Sequence, residues 1–471
     1  MIKKEIAMTY ESAVKNLFNN LSEIADAELH ALTVYRNGEK IFSGAAAPFS
    51  PYQKNHVYSL SKSFCSTAIG IACNMGILSL DEKIIDIFPE KCPKDISENL
   101  SKMTLLNVLS MNTGHAFCVM NKMMRSDDPV AAFLAAEVEF VPGTHFAYNT
   151  GATCLAGICL TKRTGLSVLE FLDLYLFRDM GIKGSMWLSH KGYSEGGVGF
   201  HVSSEDAAKL GLLYLSGGVY GGKRYLSEDY VKLAGSKISD NSGNGTPDWC
   251  AGYGLQFWRN SREGFRGDGA FGQLCLVFPE KNTVIGAIVE VGAMQPEIDC
   301  FYRFLDELEE CDGHGDKKEL EEFLNSFYPA SSFDPEKCPL VGKAFALDEN
   351  ICGFGHIYFD KNEKGGIDIS ITSKKTFTSV IHLIPGRYTE GTLYGDYVKP
   401  TLTDLTATFD GNLDFAACAE NDREKLSVTL RGTNCPHRVT YIFEQTEKGI
   451  AVSRRAKSNP GYALDFSGKE I

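Results

Sequence analysis

The sequence predicts an α+β protein with a separate all-β region at its C-terminal end. The first 310 or so residues mix helical periodicity with short alternating strands, whereas nearly every segment beyond Pro339 alternates between apolar and polar residues. A polar stretch that contains two glycines, residues 310–318, separates the two parts. Because 471 residues exceed what one core usually supports, we expect domains at 1–310 and 336–471, joined by a linker with a short helix at 311–335.

The N-terminal elements are predicted to be a helix and a hairpin. Apolar residues recur at helical spacing over residues 10–25, which predicts an amphipathic helix. Two alternating runs follow, at 32–36 and 40–44, and Asn37-Gly38 joins them. This dipeptide between alternating apolar residues is a strong signal for a tight hairpin turn.

The middle of the chain is predicted to be mainly helical. Helical patterns cover residues 59–75, 104–111 and much of 129–180, where an irregular stretch at 141–151 interrupts them. Ser203 is placed to cap a further helix at 207–215. Residues 273–278 and 283–291 then indicate two neighbouring strands.

The C-terminal region is predicted to be an antiparallel sheet structure. After a short helix at 319–327, the alternating segments are 356–359, 367–372, 378–384, 402–409, 413–417, 425–430 and 438–443. Short strands separated by glycine and asparagine turns predict a β-sandwich or a lipocalin-like barrel. No catalytic constellation is evident there.

Composition limits the function classes. The net charge of −13, without a basic stripe, argues against nucleic acid and anionic membranes as partners. No run approaches the ~20 apolar residues of a membrane span, and the N-terminus lacks the apolar core of a secretory signal. The fourteen cysteines form no Cys-x-x-Cys pair, and several lie in apolar helical runs, so we expect reduced thiols in the cytoplasm. A small molecule or short peptide is the expected partner, without cofactor or metal, and the oligomeric state stays open.

Ser59 and Lys62 are the first candidate catalytic residues. On a helix they share a face, so the amine would lie beside the hydroxyl. A serine hydroxyl becomes a good nucleophile when a nearby base takes its proton, and a helix N-terminus favours the developing charge. Alternatively, Ser59 is only a helix cap. The second Ser-x-x-Lys copy, Ser12 to Lys15, is interpreted as a surface patch of the first helix.

Several separated motifs carry a family resemblance. Ser59-Leu-Ser-Lys62 and the segment Phe146-Ala-Tyr148-Asn149-Thr150-Gly151 occur in the order expected for one family, with supporting matches at Pro142-Gly143, Gly165-Leu-Ser167, Met180-Gly181-Ile182, Gly196–His201, Lys209-Leu-Gly211 and Gly221-Gly-Lys223. The first 300 residues thus resemble the serine β-lactamase and penicillin-binding-protein superfamily. The branch is that of class C β-lactamases, D-aminopeptidases, family VIII esterases and 6-aminohexanoate-dimer hydrolases. The resemblance implies an antiparallel sheet flanked by helices, with a mostly helical insertion.

The resemblance also implies catalytic roles. Ser59 would form an acyl-enzyme while Lys62 and Tyr148 manage its proton. We expect the Lys62 ammonium to lower the pKa of Tyr148, which could then accept the Ser59 proton and later activate water. Alternatively, Tyr148 is a packed aromatic residue. The motif's usual third residue, asparagine, is replaced by Thr150, so Asn149 or the Thr150 hydroxyl would take its place.

The third motif of the family departs further from the pattern. It aligns with residues 266–273, where Gly267 or Asp268 stands in place of the usual lysine or histidine. That cation normally binds a substrate carboxylate, so efficient β-lactamase activity is not expected. The backbone N–H near Ala270, with that of Ser59, could form an oxyanion hole. Gly269 and Gly272 either allow close approach of the backbone to a substrate or mark a strand bulge.

Asp268 suggests a substrate hypothesis. A carboxylate beside the nucleophile would favour substrates that carry an amine, although a plain turn aspartate is the alternative interpretation. His115, His145 and His201 are interpreted as structural or rim residues. We therefore predict a serine hydrolase that cleaves a D-amino-acid peptide, an aminohexanoate-type amide or a small ester. The alternative is a penicillin-binding-protein-like binding or sensor protein with little turnover.

Overall fold

The computed structural model describes residues 8–194, 196–373, 377–394, 412–456, 458 and 463–471. The helices lie mainly in the first two-thirds of the chain. They are α1 Tyr10–Ser22, α2 Ser61–Asn74, α3 Ile84–Ile87, α4 Glu98–Lys102, α5 Leu105–Leu109, α6 Met120–Arg125, α7 Pro129–Leu134, α8 Thr150–Thr164, α9 Val168–Leu172, α10 Arg178–Met180, α11 Ser204–Leu215, α12 Glu228–Ala234, α13 Pro247–Cys250, α14 Met294–Glu310 and α15 Lys317–Ser326. None of these helices has the length and apolar content needed to cross a bilayer.

The strands fall into an N-terminal and a C-terminal set. The N-terminal set is β1 Glu28–Arg36, β2 Glu39–Ala45, β3 Asn55–His56, β4 Met186–Trp187, β5 Ser189–His190, β6 Tyr193–Ser194, β7 Phe200–Val202, β8 Val219–Tyr220, β9 Lys223–Arg224, β10 Trp258–Arg259, β11 Phe265–Gly269, β12 Gln273–Phe278 and β13 Thr283–Glu290. The C-terminal set is β14 Lys343–Leu347, β15 Phe354–Lys361, β16 Ile367–Ser373, β17 Thr378–Leu383, β18 Thr389–Leu393, β19 Leu413–Asn421, β20 Lys425–Gly432, β21 Arg438–Thr446, β22 Gly449–Ala456 and β23 Leu464–Glu470.

Two compact units can be distinguished among the described residues. One consists of Leu32–Ser43 and Val57–Ile288, and the other of Met1–Ala31, Gly44–His56 and Val289–Ile471. The domain boundaries expected from the sequence stay a prediction.

The unit that contains Val57–Ile288 combines one main sheet with helices. Its sheet has the order β10-β11-β12-β13-β1-β2, with antiparallel pairing from β10 to β13. Helix α11 lies against this sheet. A Cβ atom on Gly286 would come within 2.1 Å of the Ser204 carbonyl oxygen, so only glycine permits this approach. Most of the regular secondary structure between β2 and β10 is helical, and the predicted hairpin and paired strands are confirmed.

The other unit contains a ten-stranded antiparallel sheet. Its order is β17-β16-β15-β14-β23-β22-β21-β20-β19-β18. The last strand in the chain, β23, therefore lies beside the first strand of this sheet, β14. The two strands at the ends of this order also meet: the Tyr394 N–H donates to Ser379 Oγ at 2.7 Å, and the Thr389 hydroxyl donates to the His382 carbonyl. The sheet therefore curls into a near-barrel, whose buried core includes Ile357, Phe359, Ile369, Tyr441, Phe443 and Val452. The predicted fold class is confirmed, and of the two alternatives the barrel is the one observed.

Several local expectations need correction. The first helix ends at Ser22, three residues earlier than predicted, and α14 was not predicted at all. Strands β14, β18, β22 and β23 were also missed, while the predicted strand at 402–409 lies outside the described residues.

Candidate active site

Ser59 lies in a short turn that leads into α2. Tyr58–Leu60 form a 3₁₀ turn, and Tyr58 has a φ of 46°, a left-handed conformation that is rare for a bulky residue. Ser59 does not cap α2, because the helix begins two residues later and has no side-chain cap. Ser61 holds the turn instead: its Oγ donates to the Tyr58 carbonyl and accepts from the Phe200 N–H at 3.1 Å. The half-exposed Ser59 hydroxyl is therefore not needed for capping.

Lys62 contacts Ser59 directly. Its Nζ donates to Ser59 Oγ at 3.0 Å and to the Gly197 carbonyl oxygen at 2.7 Å. The side chain is only 1% exposed. Burial lowers the pKa of Lys62 to about 8, although the charges of Cys154 and Asp268 act in the opposite direction. An amine with this pKa is partly neutral near pH 7, so it can accept the proton of the serine hydroxyl.

Tyr148 is the third candidate catalytic residue beside Ser59 and Lys62, but its protonation state is not the one expected from the sequence. The Lys62 Nζ lies 4.9 Å from the centre of the Tyr148 ring, and the Trp258 ring stacks on the tyrosine with centres 5.3 Å apart. Burial and the charge of Asp268 raise the pKa of Tyr148, and the hydrogen bond with Ser59 only partly offsets them. The expected lowering by Lys62 is therefore wrong. Tyr148 is a neutral phenol, suited to donating a hydrogen bond rather than to acting as the base.

Aromatic side chains surround Tyr148. Tyr253 and Trp258 are buried, whereas Phe146 and Trp249 are partly buried and pack against them. They form one cluster whose partly buried members, including Tyr148 itself, lie at its edge.

Asn149 and Thr150 follow Tyr148 but have different surroundings. Asn149 is fully buried, and its Oδ1 accepts from the Val119 N–H at 3.1 Å. Thr150 begins α8, and a Cβ atom on Gly197 would come within 2.6 Å of its methyl carbon. Thr150 thus packs against the residue whose carbonyl binds Lys62, while Asn149 holds the segment before α6. Sequence reasoning noted the glycines at 196–199 but missed this contact.

Strand β11 brings its end against the Ser59 turn. A Cβ atom on Gly267 would lie 2.4 Å from Ser63 Oγ, and one on Gly269 would lie 2.2 Å from the Val57 carbonyl oxygen. Gly269 pairs in regular register with Gln273, so it is not a strand bulge. Gly272 lies in the turn before Gln273 and has a φ of 97°. Ala270, half-exposed, follows in the turn to β12. Glycines are needed here because the strand passes so close to the residues on either side of Ser59.

Asp268 is not a surface residue of a turn. It lies within β11, is 8% exposed, and its Oδ2 accepts from Arg266 Nε at 3.0 Å. Burial raises the pKa of Asp268, while the charges of Arg266 and Lys62 and a hydrogen bond from Trp258 oppose that rise. Its negative charge acts on both Lys62 and Tyr148.

Arg266 is a residue that sequence reasoning did not single out. It is fully buried, with its guanidinium 4.6 Å from the Trp249 ring. Besides Asp268, it donates to Asn260 Oδ1 at 3.2 Å and to the Asp248 carbonyl at 2.9 Å. Because the protein itself engages these donors, Arg266 does not offer the substrate-facing cation that the third motif usually supplies. In the sequence, Arg266 is simply the first residue of the stretch aligned with the third motif, and nothing there indicates its burial or its contacts.

Two of the three histidines considered from the sequence are buried and neutral. Burial lowers the pKa of both His115 and His201 to about 4. The third, His145, stacks on Phe140 with ring centres 3.9 Å apart.

A group of potential metal ligands lies elsewhere. Glu28, His30 and Glu290 have ligand atoms within 4.8 Å of one another, all buried. Arg431 and Arg438 already bind Glu28, at 2.9 and 2.8 Å, and Arg438 Nε also lies 3.2 Å from Glu290. Two arginines balance two glutamates, so a divalent cation would add uncompensated charge. We interpret this group as a structural ion-pair network.

Comparisons with known proteins agree with the predicted family and fold. The family profile described as Beta-lactamase matches residues 16–292. The 6-aminohexanoate-dimer hydrolase of Paenarthrobacter ureafaciens is 25% identical over 278 residues, which are 54% of this chain and 71% of that protein. A penicillin-binding protein homolog from Caulobacter crescentus has a similar fold (TM-score 0.52, 16% identity, 64% of this chain and 99% of that one). So does SurE, solved with D-Leu (TM-score 0.52, 16% identity, 98% and 99%). Because the profile spans more than half of the sequence, the chain belongs to the beta-lactamase family and is a serine hydrolase.

Proposed function

We propose that the protein hydrolyses an ester or amide through an acyl-enzyme on Ser59. The observation that carries this proposal is the 3.0 Å contact between Lys62 Nζ and Ser59 Oγ, made by an amine whose pKa is about 8. Neutral Lys62 takes the hydroxyl proton as Oγ bonds to the substrate carbonyl carbon. The tetrahedral intermediate then expels an alcohol or amine, which receives that proton from Lys62.

Hydrolysis of the acyl-enzyme uses Lys62 again, with water in place of Ser59 as the attacking group. Water attacks the acyl carbon and gives its proton to Lys62. Ser59 then leaves as a hydroxyl by taking the proton back, and a carboxylic acid is released. Tyr148, a neutral phenol, donates a hydrogen bond at the reacting oxygen atoms. The N–H groups of Ser59 and Ala270 bind the oxyanion, an assignment supported by the close approach of β11 to the Ser59 turn.

We further propose that the preferred substrates carry an amine rather than a carboxylate. Asp268 places a negative charge beside Lys62, and Arg266 is committed to contacts within the protein. The Paenarthrobacter relative is named for a dimer of 6-aminohexanoate, whose acyl half ends in an amine and whose leaving half ends in a carboxylate. Penicillins carry a carboxylate, so β-lactams are expected to be poor substrates. Fourteen cysteines without a Cys-x-x-Cys pair support a cytoplasmic location.

The substrate proposal is tested with matched p-nitroanilides whose acyl chains end in an amine, a methyl group or a carboxylate. We expect kcat/KM to be at least about tenfold higher for the amine than for the other two, since one well-placed charge pair is worth ~1.4 kcal/mol or more. Asp268→Asn should abolish that ratio, whereas Asp240→Asn, at an exposed loop residue, should leave it intact. Equal rates for the three substrates, or a ratio that survives Asp268→Asn, would refute the amine preference.

A binding or sensor protein is the second candidate. Thr150 and Asp268 replace residues that the family motifs usually contain, which favours slow turnover. Such a protein would acylate and stall. Sustained p-nitroaniline release beyond one equivalent per protein distinguishes the hydrolase from it.

A further inference from the structure

A small cavity among α6, α7 and α8 is lined with sulfur. Its volume is about 20 Å³, and the lining residues are Met120, Met123, Met124, Pro129, Cys154, Ile158, Tyr193 and Ser194. Met120, Met123 and Cys154 are buried. The Cys154 thiol donates to Met120 Sδ, with the two sulfur atoms 3.4 Å apart. Four sulfur-bearing side chains therefore face one space.

The donor set has a defined metal preference. Thiolate and thioether sulfur bind soft cations such as Cu(I), and hard cations prefer oxygen. The other walls are largely apolar, so a net charge in this space would be poorly solvated. One thiolate with one monovalent cation is neutral, whereas a divalent cation would leave a buried positive charge.

We propose that this cavity binds one soft monovalent metal ion, Cu(I) or Ag(I), through Cys154 and the methionine sulfurs. On binding, the Cys154 S–H bond breaks, the proton goes to the buffer, and a metal–sulfur bond forms without a change of oxidation state. With metal–sulfur bonds of about 2.3 Å, two sulfur ligands of a trigonal or tetrahedral site lie roughly 3.8–4.0 Å apart. Met120 thus moves by only about half an ångström, which a flexible thioether allows.

This site is separate from acyl transfer, although it lies near it. Cys154 interacts electrostatically with Lys62, and its helix α8 begins two residues after Tyr148. The proposal does not rest on the hydrolase activity, so its test uses metal binding alone.

The experiment is a Cu(I) titration of the full chain, under reducing and anaerobic conditions, against the chromophoric chelator bathocuproine disulfonate. Cys118, the exposed thiol among the fourteen cysteines, is first replaced by serine to remove a surface competitor. We expect one equivalent of Cu(I) to be withdrawn from the chelator, one proton to be released, and X-ray absorption to show a sulfur-only shell.

Variants decide which sulfur atoms bind. Cys154→Ser should remove the tight equivalent, and Met123→Leu should weaken it by at least about tenfold, as expected for the loss of a ligand. Cys159→Ser, a buried thiol of the same helix that does not line the cavity, is the matched control and should bind normally. Circular dichroism confirms that each variant is folded. Tight binding retained in folded Cys154→Ser, or a shell of nitrogen and oxygen, would overturn the proposal.

Discussion

Lys62→Met is expected to lower kcat/KM by about 10³-fold, within the range that positioned general bases contribute. Methionine is unbranched like lysine, one atom shorter, and stays neutral, so it tolerates the buried position but cannot take the Ser59 proton. The hydrogen bonds from Nζ to Ser59 Oγ and the Gly197 carbonyl are lost together. Steady-state hydrolysis of a p-nitrophenyl ester measures the effect.

The chain offers its own control for this substitution. Lys15 belongs to the second Ser-x-x-Lys copy and pairs with Glu319 at 2.7 Å. Lys15→Met should leave kcat/KM unchanged. Lys62→Arg should not restore activity, because a guanidinium stays protonated at every pH used. Near-normal turnover by folded Lys62→Met would exclude Lys62 as the base.

The expected pH dependence of kcat/KM follows from the pKa of Lys62. Burial lowers the pKa of Lys62 to about 8, and the neutral form is the active one. We therefore expect kcat/KM to fall about tenfold per pH unit below 8 and to level off above it. A flat profile between pH 6 and 9 would indicate another base.

Glu28→Gln is expected to destabilise the fold by about 3–5 kcal/mol, the range for removing one partner of a buried ion pair. Glu28 is 1% exposed and accepts from Arg431 and Arg438. The glutamine leaves the buried Arg431 guanidinium without its anion, and Arg438 keeps only Glu290. Urea unfolding measures the change, and Glu98→Gln, which affects an exposed pair with Lys102, should leave the free energy of unfolding nearly unchanged.

Glu28 is also expected to make the free energy of unfolding depend on pH in the acid range. Burial alone would raise the pKa of Glu28, but His30, Arg431 and Arg438 outweigh it and lower the pKa to about 2. A group whose pKa is lower in the folded state stabilises the protein above its unfolded pKa of about 4.5. This contribution should disappear as the pH falls from about 4.5 towards 2. Glu28→Gln should therefore flatten the loss of stability in that window; an unchanged slope would contradict the account.

Local signals predicted the regular parts of the fold. Asn37-Gly38 marked the β1–β2 hairpin because both residues adopt positive φ there, 53° and 81°. Strands β12 and β13 are long and fully buried, so their apolar runs were readable. Strand β18 contains Gly391 and is mostly half-exposed, and β23 is mostly exposed, so neither shows a clear apolar alternation. Their place in the sheet depends on pairing between distant residues, which no local pattern encodes.

The sequence predicted which residues form the candidate site, but not their protonation states or their contacts. Spacing and resemblance suggested Ser59, Lys62 and Tyr148, and the structure brings the three together. Protonation states depend on burial and on charges distant in sequence. Asp268 lies 120 positions after Tyr148 and helps to raise the pKa of that residue, opposite to the direction expected from the sequence. For the same reason, the commitment of Arg266 to internal contacts could not be inferred from the motif.

The most direct test of the acyl-enzyme account is intact-protein mass spectrometry after exposure to a fluorophosphonate probe. The wild-type protein and Ser12→Ala should each gain one adduct, because Ser12 only hydrogen-bonds with Thr9 at the start of α1. Ser59→Ala should gain none. An adduct that persists on folded Ser59→Ala, or no adduct on the wild-type protein, would contradict the assignment of Ser59 as the nucleophile.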